Sequence, residues 1–246
     1  MVVLVIGAGT KGNIGYGVAE KFEREGHTVL VNDISFNHKD FIHYHADVTD
    51  EEQVARMMYE VALDWGRLDI LVNSAGVNIL GKIEDYHLKD FNRTIAVNLT
   101  SNYLLLQAYV RVFDNDGNRK AFLAITSDTG MIPKTSTFAY GASKAGANHF
   151  IRCAARELNK YHEDEWLVTA LAIGRVYTPM DEKTISDLTE QRGIAREEAE
   201  AMLSANIPLG RGMTVEEVAE WVEFVATKGA YATGNVLRID AGQVQG

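Results

Sequence analysis

The fold of this 246-residue chain is decided by its first stretch, Val2-Val-Leu-Val-Ile6-Gly7-Ala-Gly9-Thr-Lys-Gly12-Asn-Ile-Gly15-Tyr-Gly17. Residues 2–6 are an unbroken apolar run, which predicts a strand buried on both faces of a sheet. The glycine loop leads into a helical stretch, residues 18–25. Glycines let backbone N–H groups approach a pyrophosphate, whose charge the next helix N-terminus stabilises. Strand, glycine loop and helix in this order predict a dinucleotide site, with an ordinary tight turn as the alternative. From this loop we expect cofactor contacts at Gly7, Gly9, Asn13, Ile14 and Gly15.

A carboxylate follows the second predicted strand, Thr28–Asn32. Asp33 lies eighteen residues after Gly15, where a carboxylate grips the hydroxyls of an adenosine ribose. Its charge repels a 2′-phosphate, which favours NAD over NADP. Lys11 favours NADP if it reaches that phosphate. NAD is the expected cofactor and NADP the alternative.

Strands and helices alternate along the whole chain. This pattern predicts one α/β domain, residues 1–246, built as a Rossmann-type doubly wound parallel sheet of about seven strands with helices on both faces. The other predicted strands are residues 41–46, 68–72, 121–126, 166–173 and 235–239, and the longer helices are residues 50–65, 85–106, 140–158 and 215–227. The polar segment 181–207 is expected to form a lid over the site, with a solvated surface hairpin as the alternative.

Several short motifs follow the predicted strands, at the sheet edge where open α/β folds bind ligands. Asp47 and Val48 are expected beside the adenine. Small residues after strand 68–72 allow a ribose to lie against the backbone at Asn73, Ala75 and Gly76. Thr178 suits either a contact to a nicotinamide carboxamide or a helix cap before Pro179.

The candidate catalytic residues lie between positions 98 and 144. Tyr140 and Lys144 are four residues apart, so a helix places them on one face, where the ammonium can lower the phenol's pKa of about 10. Ser127 emerges at the end of strand 121–126 and can hydrogen-bond a carbonyl. Asn98 lies in an apolar run, where its amide makes a structural hydrogen bond, holds a water in a proton path, or does both. This set suits hydride chemistry between an alcohol and a ketone.

The composition excludes several other classes. The formal net charge of −10 disfavours nonspecific binding to nucleic acid or to anionic membranes. The single cysteine, Cys153, rules out an internal disulfide framework or a cysteine-based metal cluster. No apolar run reaches the length of a signal or membrane anchor. We therefore expect a soluble cytoplasmic protein with a small-molecule substrate and no metal.

Taken in order, these motifs resemble the short-chain dehydrogenase/reductase family over the whole chain. The resemblance implies that Tyr140 is the acid/base and that Lys144 lowers its pKa and binds the nicotinamide ribose. It also implies that Ser127 orients the carbonyl, that Asn98 completes a proton relay, and that Val176 and Thr178 contact the cofactor. Family members form tetramers, so a homotetramer or homodimer is expected, paired through the helices that hold Asn98 and Tyr140.

The chain departs from the family pattern in four places. Ile6 replaces a Thr, Ser74 replaces an Asn, Ile173 replaces a Pro, and the glycine loop is two residues longer than the common form. The longer loop is similar to that of NAD-dependent enoyl reductases, whose Tyr-x6-Lys spacing this chain lacks.

The expected function is NAD(P)-dependent interconversion of a secondary alcohol and a ketone, with a polyol, sugar or hydroxy-acid substrate. An enoyl-thioester reductase, a non-catalytic nucleotide-binding module and a scaffold are the alternatives. Lys134 and Arg175 either bind an anionic group of the substrate or are solvated.

Overall fold

The computed structural model describes residues 1–114, 117–162 and 165–244, and within them seven strands form one parallel sheet. The strands are β1 (Val2–Ile6), β2 (Thr28–Asp33), β3 (Ile42–His45), β4 (Ile70–Asn73), β5 (Lys120–Ser127), β6 (Trp166–Ile173) and β7 (Val236–Ile239). The sheet order is β3-β2-β1-β4-β5-β6-β7. The chain runs outward from β1 to β3 and then returns to β4 on the other side of β1, which creates the crevice where doubly wound sheets bind ligands. The predicted fold class is confirmed.

Helices cover both faces of the sheet, so successive residues of the central strands enter different cores. The helices are α1 (Ile14–Arg24), α2 (Glu51–Trp65), α3 (Leu88–Ile95), α4 (Ser101–Phe113), α5 (Phe138–Tyr161), α6 (Pro179–Arg192), α7 (Arg196–Ser204) and α8 (Val215–Lys228). In β1, Leu4 and Ile6 belong to the core under α2, α4 and α5, whereas Val3 and Val5 belong to the core under α1 and α8. All four side chains are fully buried, which explains the unbroken apolar run.

The first helix begins four residues before the predicted start at Val18. Asn13 caps α1, because its side-chain oxygen accepts a hydrogen bond from the Tyr16 N–H at 2.9 Å. The last glycines of the loop are therefore helical, and the amino end of α1 lies at the sheet edge.

The predicted helix 85–106 was wrong in its bounds and its regularity. The structure has α3, then a π-helical turn over Ala96–Thr100, then α4, which ends at Phe113. Asn98 within this turn and Ser101 and Asn102 directly after it are all buried. Single π turns of this kind are frequent at functional sites.

The segment predicted as a lid contains two helices. Thr178 caps α6 by accepting a hydrogen bond from the Asp181 N–H at 3.3 Å, and Gly193, with φ of +64°, ends it. Helix α7 follows after a short turn. None of the helices in the described ranges combines the length and the apolar character needed to cross a membrane.

Candidate active site

A cleft of about 820 Å³ opens at the carboxyl ends of β1, β2 and β4. Residues following all three strands line it, and Pro179 and Met180 at the start of the lid segment do so as well. Most of the predicted cofactor residues lie in its wall, namely Gly7, Asn13, Ile14, Asp33, Asp47, Val48, Ala75, Gly76 and Thr178. The remaining predicted residues, Gly9, Gly15, Asn73, Val176, Tyr140 and Lys144, lie outside this lining.

Two of the loop glycines shape the loop itself. A Cβ on Gly9 would lie 1.9 Å from the Ser35 carbonyl oxygen, and a Cβ on Gly15 would lie 2.3 Å from the Gly7 carbonyl oxygen. Neither position can carry a side chain without moving backbone. The glycines therefore let the loop fold tightly against β2 and α1, while Gly7 borders the cleft.

The Asp33 carboxylate is held at the end of β2 by two backbone donors. Its Oδ2 accepts a hydrogen bond from the Gly9 N–H at 2.9 Å, and its Oδ1 accepts one from the Ile34 N–H at 2.8 Å. The same group therefore lines the cleft and anchors the glycine loop.

Lys11 is engaged by another carboxylate. Its Nζ lies 2.8 Å from Asp40 Oδ2, which also accepts a hydrogen bond from the Tyr16 hydroxyl at 2.9 Å. Lys11 first and Tyr16 second lower the pKa of Asp40 from its ordinary value. Lys11 is not among the residues that line the cleft.

A chain of buried amides links β4 to the π turn. Asn73 Nδ2 donates to Asn102 Oδ1 at 2.9 Å, and Asn102 Nδ2 donates to the Asn98 carbonyl oxygen at 2.9 Å. The Asn98 side chain accepts from the Val77 N–H and donates to the Val77 carbonyl, both at 2.9 Å, and it donates to Ser143 Oγ at 3.0 Å. The structural hydrogen bonds expected of Asn98 are present. Its place in a proton relay stays a prediction.

Asn102 was missed by the sequence analysis. The signal was available, since Asn98 and Asn102 are four residues apart and so share one face of a helix.

The carboxyl end of β5 brings Ser127 to Tyr140. Burial raises the pKa of the Tyr140 phenol to about 12, and the nearby Ser127 side chain acts in the opposite direction. Lys144 Nζ lies 5.5 Å from the centre of the Tyr140 ring and donates to the Ile125 carbonyl at 2.9 Å. Burial also lowers the pKa of Lys144 to about 8.

The expectation that Lys144 lowers the Tyr140 pKa stays a prediction. Sequence spacing placed the two side chains on one face of α5, and in the structure the ammonium donates its hydrogen bond to a backbone carbonyl of β5.

Both cations proposed to meet an anionic substrate are paired with carboxylates. Lys134 Nζ lies 2.7 and 2.9 Å from the two oxygens of Asp128. Arg175 donates to both oxygens of Asp181, at 2.9 and 3.0 Å, and also to Ser204 Oγ at 2.7 Å.

The structure also settles the positions of the two residues after β6. Thr178 caps α6 and borders the cleft, so both interpretations of it fit. Val176 is buried and pairs with Met213 in an isolated parallel bridge, so it shapes the chain behind Thr178.

This chain is similar to known proteins in sequence and in fold. Residues 7–243 match the family model described as enoyl-(acyl carrier protein) reductase. The D-beta-hydroxybutyrate dehydrogenase of Rhizobium meliloti (strain 1021) is 30% identical, over 95% of this chain and 95% of its own length. The sorbitol-6-phosphate 2-dehydrogenase of Escherichia coli (strain K12) is 27% identical, over 99% of this chain and 98% of its own length. The crystal structure of the corresponding enzyme of Erwinia amylovora covers 100% of both chains at 27% identity and a TM-score of 0.90.

Proposed function

The chain belongs to the short-chain dehydrogenase/reductase family and is an alcohol/ketone oxidoreductase, and we propose that Tyr140 is its acid/base and NAD its preferred cofactor. The observation that carries this proposal is the position of Tyr140 relative to the nucleotide cleft. Lys144 Nζ lies 5.5 Å from the centre of the Tyr140 ring and 3.6 Å from where a Cβ on Gly76, a residue of the cleft wall, would lie. Ser127, at the carboxyl end of β5, is close enough to the phenol to act on its pKa. A phenol and a hydroxyl beside a dinucleotide cleft are the groups that a hydride-transfer reaction at a carbinol carbon needs.

The chain's own residues handle the proton and the orientation of the substrate. In the oxidation direction Tyr140 takes the proton of the alcohol hydroxyl while hydride leaves the same carbon, and in reduction it returns the proton to the ketone oxygen. Ser127 donates a hydrogen bond to that oxygen and fixes its position. When bound, a nicotinamide cofactor supplies the acceptor or the donor of the hydride.

The cleft fits a nicotinamide dinucleotide. Gly7 has φ of +76°, and a Cβ there would lie 2.8 Å from the Ala75 nitrogen, so the two backbones form a wall without side chains. In the same wall, Asn32 Nδ2 donates to the carbonyls of Tyr44 and Ala46, at 3.1 and 3.2 Å. Its Oδ1 is buried without a partner in the described part of the chain. An unmatched acceptor beside a glycine wall suits a ligand that carries amino and hydroxyl donors, as a dinucleotide does.

The preference for NAD rests on Asp33 and Lys11. Asp33 presents a carboxylate in the cleft, and Lys11 is paired with Asp40 away from it. A 2′-phosphate therefore meets a negative charge and no compensating cation from Lys11, whereas ribose hydroxyls meet an acceptor.

For the substrate we propose a small secondary alcohol of the polyol, sugar or hydroxy-acid type. The relatives support this class, because they are named for a hydroxybutyrate and a sugar-alcohol phosphate. Helices α6 and α7 form the proposed lid, and Pro179 and Met180 give it its contact with the cleft. We also propose that the protein acts in the cytoplasm as a homotetramer or homodimer.

An enoyl-thioester reductase is the second candidate, because the matching family model carries that description. The spacing of Tyr140 and Lys144 and the names of the two relatives favour alcohol chemistry instead.

The test is a panel of secondary alcohols with NAD, NADH formation being followed at 340 nm, beside a crotonyl thioester with NADH. Oxidation of at least one alcohol is expected. Activity on the thioester alone would overturn the proposal. An NADH fluorescence titration then separates an enzyme with an untested substrate, which binds NADH, from a scaffold, which does not.

A further inference from the structure

An ion pair between a buried carboxylate and a half-buried lysine lies directly beside the proposed catalytic serine. Asp128, the residue after Ser127, is 2% exposed. Its Oδ1 accepts hydrogen bonds from Ser127 Oγ at 3.1 Å and from Thr129 Oγ1 at 3.3 Å. Lys134 reaches back across the same turn and donates to both carboxylate oxygens, at 2.9 and 2.7 Å.

Asp128 competes for the one proton that Ser127 has to give. The Ser127 hydroxyl already accepts a hydrogen bond from the Thr129 N–H at 3.2 Å, and the nearest acceptor for its own proton is Asp128 Oδ1 at 3.1 Å, followed by Thr129 Oγ1 at 3.3 Å. A substrate oxygen can receive that proton only when the serine turns away from the carboxylate. A carboxylate whose charge is balanced by an ammonium holds a neutral donor less strongly than an isolated one, so Lys134 sets how readily Ser127 turns.

The charge of Asp128 also acts on Tyr140. Its negative charge raises the pKa of the Tyr140 phenol, in addition to the larger effect of burial. The charged groups recorded around the phenol are Asp128 on the turn after β5, Lys144 on the same helix and, through Asp128, Lys134. The neighbouring end of β6, Ala172-Ile173, is apolar and adds no charge. Lys134 is thus the group that balances the negative charge closest to the acid/base.

We propose that Lys134 is a positioning residue for the alcohol/ketone reaction, which holds and neutralises Asp128 so that Ser127 can donate its proton to the substrate oxygen and Tyr140 can release its own. The inference rests on the function proposed above. It requires no further ligand, because both charges belong to the chain.

The first measurement is the pH profile of kcat/KM for alcohol oxidation at saturating NAD, in the wild type and in Lys134→Met. Without the ammonium, Asp128 is uncompensated and disfavours the Tyr140 phenolate. The acidic limb should therefore move to higher pH by about one unit, which is about a tenfold loss of kcat/KM on that limb. Lys134→Arg keeps the charge and should restore the profile. Asp128→Asn/Lys134→Met removes both charges and should return the limb to within a few tenths of a unit of the wild type.

The control is Lys21→Met, which removes one positive charge from an exposed ion pair with Glu25 on α1 and should leave the profile unchanged. If Lys134→Met does not fold, Asp128→Asn decides by itself. It leaves Lys134 unbalanced beside the site and should move the limb to lower pH. Three results would each overturn the proposal. One is a folded Lys134→Met variant with the wild-type pH profile, and another is a double variant whose profile is no closer to the wild type than that of Lys134→Met. The third is an Asp128→Asn variant whose acidic limb stays at the wild-type pH or moves to higher pH.

A second measurement does not need turnover. The ¹³Cζ signal of Tyr140, identified by its loss in Tyr140→Phe, is titrated in the complex with NAD. Its midpoint should rise in Lys134→Met relative to the wild type and fall in Asp128→Asn. If no alcohol is oxidised but these shifts appear, the proposed function fails while the charge relation stands. If alcohols are oxidised and the midpoints coincide, only the role of Lys134 fails.

Discussion

Replacing Asp33 separates the two tasks that the structure gives this carboxylate. Asp33→Ala removes the acceptor of the Gly9 N–H at 2.9 Å and of the Ile34 N–H at 2.8 Å, and it removes the charge at the end of β2. A hydrogen bond to a charged group contributes about 1.5–3 kcal/mol, so loss of the loop anchor should weaken NADH binding by about 10- to 100-fold.

The same substitution should favour NADPH binding relative to NADH binding. Two unit charges about 5 Å apart at an effective dielectric constant of about 20 repel each other by about 3 kcal/mol, or roughly a hundredfold in affinity. Asp33→Ala removes this repulsion, which offsets the weakened loop. The ratio of the NADPH and NADH dissociation constants should therefore fall by about a hundredfold.

Asp33→Asn is the matched control. It keeps a side-chain oxygen for the Gly9 N–H but carries no charge, so it should lose less NADH affinity than Asp33→Ala while relaxing the preference to the same extent. Fluorescence titrations with NADH and NADPH, at one fixed ionic strength because salt screens partly exposed charges, measure both constants. An unchanged NADPH/NADH ratio in both variants would refute the assignment of Asp33 to the ribose.

The other predictions concern the loop and the pH dependence of stability. Gly15→Ala should weaken NADH binding at least about tenfold, because its Cβ would lie 2.3 Å from the Gly7 carbonyl oxygen. Gly12→Ala is the control, because its added Cβ has no atom within 4 Å. It should cost only the strain of a φ of +85°, about 1–2 kcal/mol of stability. Equal losses of NADH affinity in Gly15→Ala and Gly12→Ala, measured by titration, would contradict the prediction. Burial lowers the pKa of His43 from 6.5, so the folded protein binds fewer protons than the unfolded chain. The contribution of His43 to the free energy of unfolding is therefore fully present above pH 6.5 and is lost as the pH falls from 6.5 toward the lower pKa of the folded state. His43→Phe should therefore reduce the fall in Tm between pH 7 and 5.5 by about 2–4 °C. Part of the fall should remain, because burial also lowers the pKa of His27. A steeper fall of the variant's Tm, measured by calorimetry, would contradict the prediction.

The fold could be predicted from the sequence because its signals are local. The run Val2–Ile6 and the strand Trp166–Ile173 need no information from the rest of the chain, and both have the predicted bounds. The interrupted helix around Asn98 was out of reach, because a π turn arises where Asn98 and Asn102 meet buried partners on β4 and α5. Periodicity within one helix cannot report such tertiary hydrogen bonds.

In the candidate site, too, the local sequence predicted which residues are present but not which partners their side chains contact. The motifs gave the identities of Tyr140 and Lys144, but the direction of the ammonium depends on the Ile125 carbonyl, which the chain brings near only after folding. The same holds for Lys134, whose partner Asp128 is the acidic residue that follows a buried strand. A carboxylate at such a strand end, with a lysine six residues later, is a signal that a sequence reading can use.

Helix capping was easier to anticipate. Asp50 caps α2, because its side chain accepts hydrogen bonds from the Glu52 and Gln53 N–H groups at 3.0 and 3.1 Å. Both partners lie within three residues, so the interaction is local.

Turnover by Tyr140→Phe tests the central claim most directly. The variant keeps the ring, whose packing against Lys144 remains, and removes only the hydroxyl that exchanges the proton. With an alcohol that the wild type oxidises, kcat should fall by about 10²–10⁴-fold while the NADH dissociation constant from fluorescence titration stays within about twofold. A kcat within a few fold of the wild type would contradict the assignment of Tyr140 as the acid/base.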